Sequence, residues 1–153
     1  MQINYIKGDL FDNNIKEPFY YAHCISADFA LGAGIAVQFN RLFHLRSKLR
    51  NTYPKYYDWF VYEQKYSEWG DCILESGVLN LITKANYYDK PTRASVREAL
   101  EAAKRICEDN NIKNICMPKI AAGLDHRPWK ETEEDIRSVW NGEEIKIYVF
   151  TNN

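Results

Sequence analysis

Residues 20–43, YYAHCISADFALGAGIAVQFNRLF, constrain the fold more than any other stretch. They run from a short apolar segment through a polar turn and a glycine pair into a helical pattern. In an α/β domain such a transition presents backbone N–H groups to a phosphate. Gly32 and Gly34 supply backbone freedom or close approach, and Ala33 and Ala36 keep the surface open. By itself a G-x-G before a helix does not name a ligand. The stretch lacks the three spaced glycines and later acid of a dinucleotide site, and the lysine pattern of a phosphate loop. It therefore reads either as a phosphate or nucleotide cradle or as an ordinary tight strand-to-helix connection.

The flanking segments build an alternating α/β pattern around it. Residues 1–6 form a first predicted strand, ending at Gly8-Asp9, where the Asp9 carboxylate can bond nearby backbone or a ligand donor. Residues 19–25 form a second, apolar on both faces, as in a sheet covered on both sides. It delivers Ser26 and Asp28 to one sheet edge. Residues 34–43 follow as a helix with Ile35, Val37, Phe39 and Leu42 as its apolar contribution. Arg41, Arg46, Lys48 and Arg50 read as a solvated helix face. Between residues 53 and 69 lie eight aromatic residues, read as a helix or loop packed over the sheet edge or as an aromatic wall for a planar ligand.

Residues 71–75 and 78–83 are two further strands joined by Ser76-Gly77, and the second places Lys84 at a strand end. Val96, Ala99, Leu100, Ala103, Ile106 and Cys107 recur at helical spacing, the clearest periodicity in the chain. Thr92 or Ser95 can cap that helix, and Ser95 with Glu98 matches a capping box. A strand over 113–117 comes next, then the run 118–127, PKIAAGLDHR. This run is either a strand-to-helix connection or a second binding loop in which Gly123 lets backbone N–H groups face a ligand. A helix over 129–140 follows, whose acids Glu131, Glu133, Glu134 and Asp135 read as a cap and solubilising face. A last strand over 144–151 places Ile145, Ile147 and Val149 on one face. Six strands with helices on both faces make one three-layer domain over 1–153.

Composition narrows the function classes. With 46% hydrophobic and 27% charged residues, the chain reads as soluble and globular. Its formal charge of −1 gives no global attraction to nucleic acid. The widely spaced Cys24, Cys72, Cys107 and Cys116 are expected as free thiols in a reducing, cytoplasmic setting, or a nuclear one in a eukaryote. Neither C-x-x-C nor H-E-x-x-H spacing occurs, so no metal site is expected. No apolar run has transmembrane length, and a monomer is the expected state.

Taken together and in order, several short motifs resemble the macrodomain family, specifically its terminal ADP-ribose protein glycohydrolase or O-acetyl-ADP-ribose deacetylase branch. They are Gly8-Asp9-Leu10-Phe11, His23-Cys24-Ile25-Ser26-Ala27-Asp28, Gly32-Ala33-Gly34-Ile35-Ala36-Val37, Leu81-Ile82-Thr83-Lys84, Lys90-Pro91-Thr92, Met117-Pro118-Lys119-Ile120, Gly123-Leu124-Asp125 and Trp129. The family's usual Asn-Ala-Ala-Asn motif is replaced here by Cys24-Ile25-Ser26-Ala27 and then Asp28. That departure fits the lysine-aspartate branch better than the asparagine-dependent one.

The resemblance implies a mixed six-stranded sheet between helices and a cleft for ADP-ribose. It implies that Asp9 meets the adenine amino group, with Leu10 adding backbone contacts. The loop of Gly32, Ala33, Gly34, Ile35 and Ala36 holds one side of the diphosphate, and that of Ala121, Ala122, Gly123 and Leu124 the other. Ser26 lies near the distal ribose, and Lys84 with Asp125 is the catalytic pair. A lysine forms a covalent adduct only as the neutral amine, and a nearby carboxylate favours the ammonium instead. Asp125 is accordingly expected to carry protons and orient, while Lys84 attacks the anomeric carbon. The expected activity is removal of ADP-ribose from glutamate- or aspartate-linked protein adducts, with O-acetyl-ADP-ribose as a further substrate and no cofactor. Two alternatives stand beside it: a binding-only reader of ADP-ribose, and a hydrolase of ADP-ribosylated nucleic acid.

Overall fold

The structure is a computed structural model that describes residues 1–63 and 69–151. Six strands form one sheet in the order β1-β6-β5-β2-β4-β3. They are β1 (Gln2–Lys7), β2 (Tyr20–Ser26), β3 (Asp71–Glu75), β4 (Val78–Lys84), β5 (Asn114–Pro118) and β6 (Lys146–Thr151). All neighbours are parallel except the β3–β4 hairpin, so the sheet is mixed and six-stranded, flanked by helices as expected. Because β5, β2 and β4 are adjacent and parallel, their carboxyl ends open on the same edge, where α/β sheets hold ligands.

Side-chain alternation along the strands divides the core in two. Ala22, Leu79, Leu81, Ile115, Met117, Ile147 and Val149 face α4 (Arg93–Asp109) and α5 (Trp129–Val139), whose buried stripes include Leu100 and Ile136. Ile25, Val78, Ile82 and Cys116 face α1 (Ile35–Phe43) and α2 (Leu45–Thr52) through Phe39, Leu45 and Leu49. On α1 the buried residues are Ala36 and Phe39, whereas Val37 and Leu42 are exposed.

Several local expectations are corrected. The α4 cap is Thr92: its side chain accepts from the Ser95 N–H while the Ser95 hydroxyl accepts from the Thr92 N–H. Thr92 precedes the first helical residue, so Ser95 stands where a capping box needs its second member and Glu98 is too far along. The basic stretch after residue 40 is not one solvated face. His44, at φ 55°, breaks it into α1 and α2, and Arg46 turns inward. Asp135 likewise does not solubilise α5, being buried between Arg93 and Arg97 of α4 at 3.2 and 3.3 Å.

The aromatic region resolves as the short helix α3 (Tyr56–Asp58) and a π-helical turn (Trp59–Glu63). Tyr56, Tyr57, Phe60 and Trp69 pack on the α1–α2 side of the core, and Tyr66 lies outside the described residues. Among the described residues no helix is long and apolar enough to cross a membrane.

Candidate active site

A cleft of about 530 Å³ opens at the carboxyl edge of β5, β2 and β4. A smaller cavity of about 210 Å³, lined by Gly8, Asp9, Leu10, Gln38 and Phe150, adjoins it through Ile35 and Pro118, which border both. The two together form a groove running from the end of β1 to the end of β4.

Lys84 owes its place to a break in strand register. Ile25 pairs with Ile82, but Ser26 pairs with Lys84, so Thr83 is the extra residue of a bulge. Laterally paired residues share a face, and the bulge thereby brings Lys84 beside Ser26 at the cleft floor. Thr83 itself is buried, with its hydroxyl unbonded. Across the cleft, the loop after β5 brings Asp125 to Lys84, Nζ to Oδ1 at 2.8 Å, each side chain 15% exposed. Both groups are thus largely shielded yet reachable from the cleft.

The loop leading to α1 is braced from two sides. Asp28 Oδ1 accepts from the Ser26 hydroxyl at 2.5 Å and the Ala30 N–H at 3.1 Å, while Oδ2 accepts from the Tyr87 N–H at 2.9 Å. With its proton given to Asp28, the Ser26 oxygen is left to accept from a ligand hydroxyl. Arg46 donates through Nε to the Ala30 carbonyl at 2.8 Å and through Nη2 to the Leu31 carbonyl at 3.2 Å. These bonds hold Phe29 and Leu31 at φ 54° and 44°, a backbone region that costs energy for residues other than glycine.

Gly34 then caps α1 at φ 60°, ψ −148°, with no side-chain cap on the helix. That conformation belongs essentially to glycine, and a Cβ there would stand 3.1 Å from Leu124 Cδ1. The two loops therefore approach closely between the deep end of the cleft and the Asp9 cavity. The first turn of α1 has no side-chain cap, and its residues Ile35 and Ala36 line the groove, so the positive end of the helix dipole lies at the groove.

Of the expected site residues, Ser26, Gly32, Ala33, Gly34, Ile35, Ala36, Lys84, Gly123, Leu124 and Asp125 line the main cleft, and Asp9 and Leu10 line its neighbour. Asp9 Oδ1 also accepts the Phe11 N–H at 3.0 Å, closing its own turn. Ala121 and Ala122 stand back from the lining. Ala121 is buried at φ 61°, its carbonyl bonded by Arg127 N–H, and the Ala122 N–H bonds the Lys119 carbonyl. The loop thus lines the cleft at Ile120 and again from Gly123 onward.

Sequence reasoning missed Cys24, Leu31, Tyr87, Tyr88 and Lys90 in the cleft, and Gln38 and Phe150 in the cavity. The aromatic doublet two residues beyond Ala85 was the available signal for Tyr87 and Tyr88. The Cys24 thiol, although it lines the cleft, is pushed up to about 12 by burial and then by the Asp125 charge, so it is no nucleophile at neutral pH.

Residues 72–136 match the family model described as the Macro domain. Human ADP-ribose glycohydrolase OARD1 is 36% identical over 152 residues, covering 98% of this chain and 91% of the relative. Among solved structures, the macrodomain of Thermus aquaticus DarG matches with a TM-score of 0.70 at 19% identity, over 98% of each chain. The macrodomain of Mycobacterium tuberculosis DarG matches with a TM-score of 0.71 at 16% identity, over 99% of each. Those two likenesses establish the fold alone, whereas the likeness to OARD1 extends over nearly the whole sequence. The chain therefore belongs to the macrodomain family and is closely related to its OARD1-type ADP-ribose glycohydrolases.

Proposed function

We propose that this protein hydrolyses the bond between ADP-ribose and a carboxylate of a modified protein, with Lys84 as nucleophile and Asp125 as proton carrier. The observation that carries the reading is the Lys84–Asp125 contact of 2.8 Å at one end of the groove. The relationship to human OARD1, named an ADP-ribose glycohydrolase, supplies the substrate class. In this reading the adenine lies beside Asp9, the diphosphate passes between the Gly34 and Leu124 loops, and the distal ribose reaches Ser26.

The resting contact joins an ammonium and a carboxylate, so a proton must move before attack. Displacing water from the cleft weakens solvation of both charges and favours the neutral pair. The short N–H···O path to Asp125 Oδ1 is the route for that proton. The free amine then attacks the anomeric carbon: the N–C bond forms and the C–O bond to the acyl group breaks. The acyl carboxylate leaves with its bonding pair. Asp125 passes its proton to the departing carboxylate, and the Asp125 carboxylate so restored takes a proton from water, which adds to the same carbon as lysine departs. Water is the only reactant consumed besides the ester. The same pair would act on O-acetyl-ADP-ribose once the acetyl group sits on the anomeric oxygen, with acetate leaving.

The test is release of free ADP-ribose from a glutamate-ADP-ribosylated protein by the intact enzyme and by Lys84→Ala at equal concentration. Release by the first and none by the second is expected. Equal release by both would eliminate the covalent lysine step, and tight ADP-ribose binding without release by either would leave a reader.

A further inference from the structure

The segment after Lys84 is a built loop that presents two bare aromatic rings. Its frame is tied down from three directions. Asn86 accepts from the Tyr57 hydroxyl at 2.6 Å, and its N–H and Nδ2 both donate to Asp89 Oδ2 at 2.9 and 3.0 Å. The Tyr87 N–H donates to Asp28. The tyrosines carried by this frame are nonetheless 67% and 70% exposed at positions 87 and 88, with ring centroids 5.2 Å apart and planes at 90°. Both rings border the cleft that contains Lys84 and Asp125. A rigid backbone presenting unburied tyrosines is the arrangement by which paratopes gain contact area at low entropic cost.

We propose that Tyr87 and Tyr88 form the subsite that receives the polypeptide flanking the modified carboxylate, and so set preference among acceptors. This rests on the protein-adduct reading given above. With the anomeric carbon at Lys84, the leaving acyl group must exit through the cleft mouth, and these rings form its wall. The charge pattern favours polypeptide over nucleic acid, which is tracked by free cations along its phosphates. Among the described residues, the two cations that line the cleft are engaged with the protein, Lys84 with Asp125 and Lys90 with the Leu124 carbonyl at 3.0 Å, and Arg46 behind the loop bonds two of its carbonyls. Asp89 adds negative charge to the same wall, and Asp28 bonds the Tyr87 N–H. One ring face and one ring edge at right angles instead suit apolar and amide groups of an extended chain.

The test is the double variant Tyr87→Ala/Tyr88→Ala. Its kcat/KM for releasing ADP-ribose from a glutamate-modified protein is set against its affinity for free ADP-ribose by calorimetry. The expected result is a loss of about 10- to 30-fold in kcat/KM beyond any change in that affinity, the scale of a truncated aromatic hot spot. Tyr87→Phe/Tyr88→Phe, which keeps the ring faces, is expected to restore most of it. Parallel losses in both measurements, or no loss in either, would overturn the assignment. So would a selective loss on an oligonucleotide carrying ADP-ribose on its terminal phosphate, with protein release intact. If the unmodified enzyme releases nothing from protein, the underlying reading falls and this one with it; release with an unchanged ratio removes only the tyrosine subsite.

Discussion

Lys84 and Asp125 are 41 positions apart in the chain and meet at 2.8 Å, one at the end of β4 and the other in the loop after β5. Neither residue is placed by its own neighbours alone. A strand bulge aims the lysine, and the Lys90 ammonium bonds the carbonyl of Leu124 beside the aspartate.

Lys84→Ala is expected to lower ADP-ribose release by about 1000-fold or more, the scale seen when a nucleophile is removed. Asp125→Asn is expected to lower it by about 100- to 10,000-fold through lost proton transfer. Single-turnover release assays check both. Near-normal rates in Asp125→Asn would assign proton transfer to another group.

At Gly34 two effects are separable. Gly34→Ala brings a Cβ to 3.1 Å from Leu124 Cδ1 and places alanine at φ 60°. The backbone part costs roughly 1 kcal/mol or more. ADP-ribose binding is expected to weaken, and Leu124→Ala in the same chain should recover the steric part only. Complete recovery in calorimetry would show that backbone strain is immaterial here.

Arg46→Ala is expected to destabilise the protein by about 1.5–3 kcal/mol through loss of the fork on the Ala30 and Leu31 carbonyls. It should also weaken ADP-ribose binding by loosening the loop that carries Gly32. Arg46→Lys should rescue little, since one ammonium cannot reproduce the planar fork. Chemical denaturation and calorimetry on the two variants decide this.

Asp9→Asn discriminates the adenine contact from a structural role. The amide oxygen can still accept the Phe11 N–H, now seen at 3.0 Å, whereas the remaining carboxylate acceptor becomes a donor. Affinity for ADP-ribose is expected to fall by roughly 1–3 kcal/mol with the melting temperature little changed. Unaltered affinity would remove Asp9 from the adenine site.

His23 gives a pH dependence of stability. It is fully buried, stacked on Phe39 at 4.0 Å and bonded through Nε2 to Asn80 at 2.7 Å, with Nδ1 unbonded. Burial pushes its pKa down from 6.5 to about 4, against the smaller opposing effect of the Asn80 bond. In the unfolded chain the ring protonates near 6.5, so the unfolded state binds the extra proton as pH falls below that value. Stability is therefore lost between about pH 6.5 and 4, at up to about 1.4 kcal/mol per pH unit from this residue. Denaturation midpoints of His23→Gln over that window should show a shallower slope than the parent, and equal slopes would refute the assignment.

Much of the architecture was legible because local chemistry repeats. The stripe from Val96 to Cys107 could only be an amphipathic helix, and the alternation of Ile145, Ile147 and Val149 could only suit a strand with one face on a core. Residues 19–25, apolar on both faces, belonged in a doubly covered sheet, and β2 lies between β5 and β4. Motif order also pointed to the family. Less legible were residues whose role depends on a distant partner: Arg46 in a basic stretch, Asp135 in an acidic run, and Tyr87 and Tyr88 between two motifs. A side chain's charge or ring states what it can bond, not what will stand opposite it.

The sequence by itself determined the six strands, three of the helices (α1, α4 and α5), the glycine that begins α1, and the presence of a lysine and an aspartate able to act as nucleophile and proton carrier. These follow from periodicity, backbone freedom and functional groups, all of which are local. Only the tertiary structure decided the groove. Parallel pairing brought the ends of β5, β2 and β4 together, the bulge at Thr83 turned Lys84 beside Ser26, and the Gly34 and Leu124 loops closed to near contact. Strand register and loop packing are settled by burial summed over the whole core, and no short stretch of chain contains that sum.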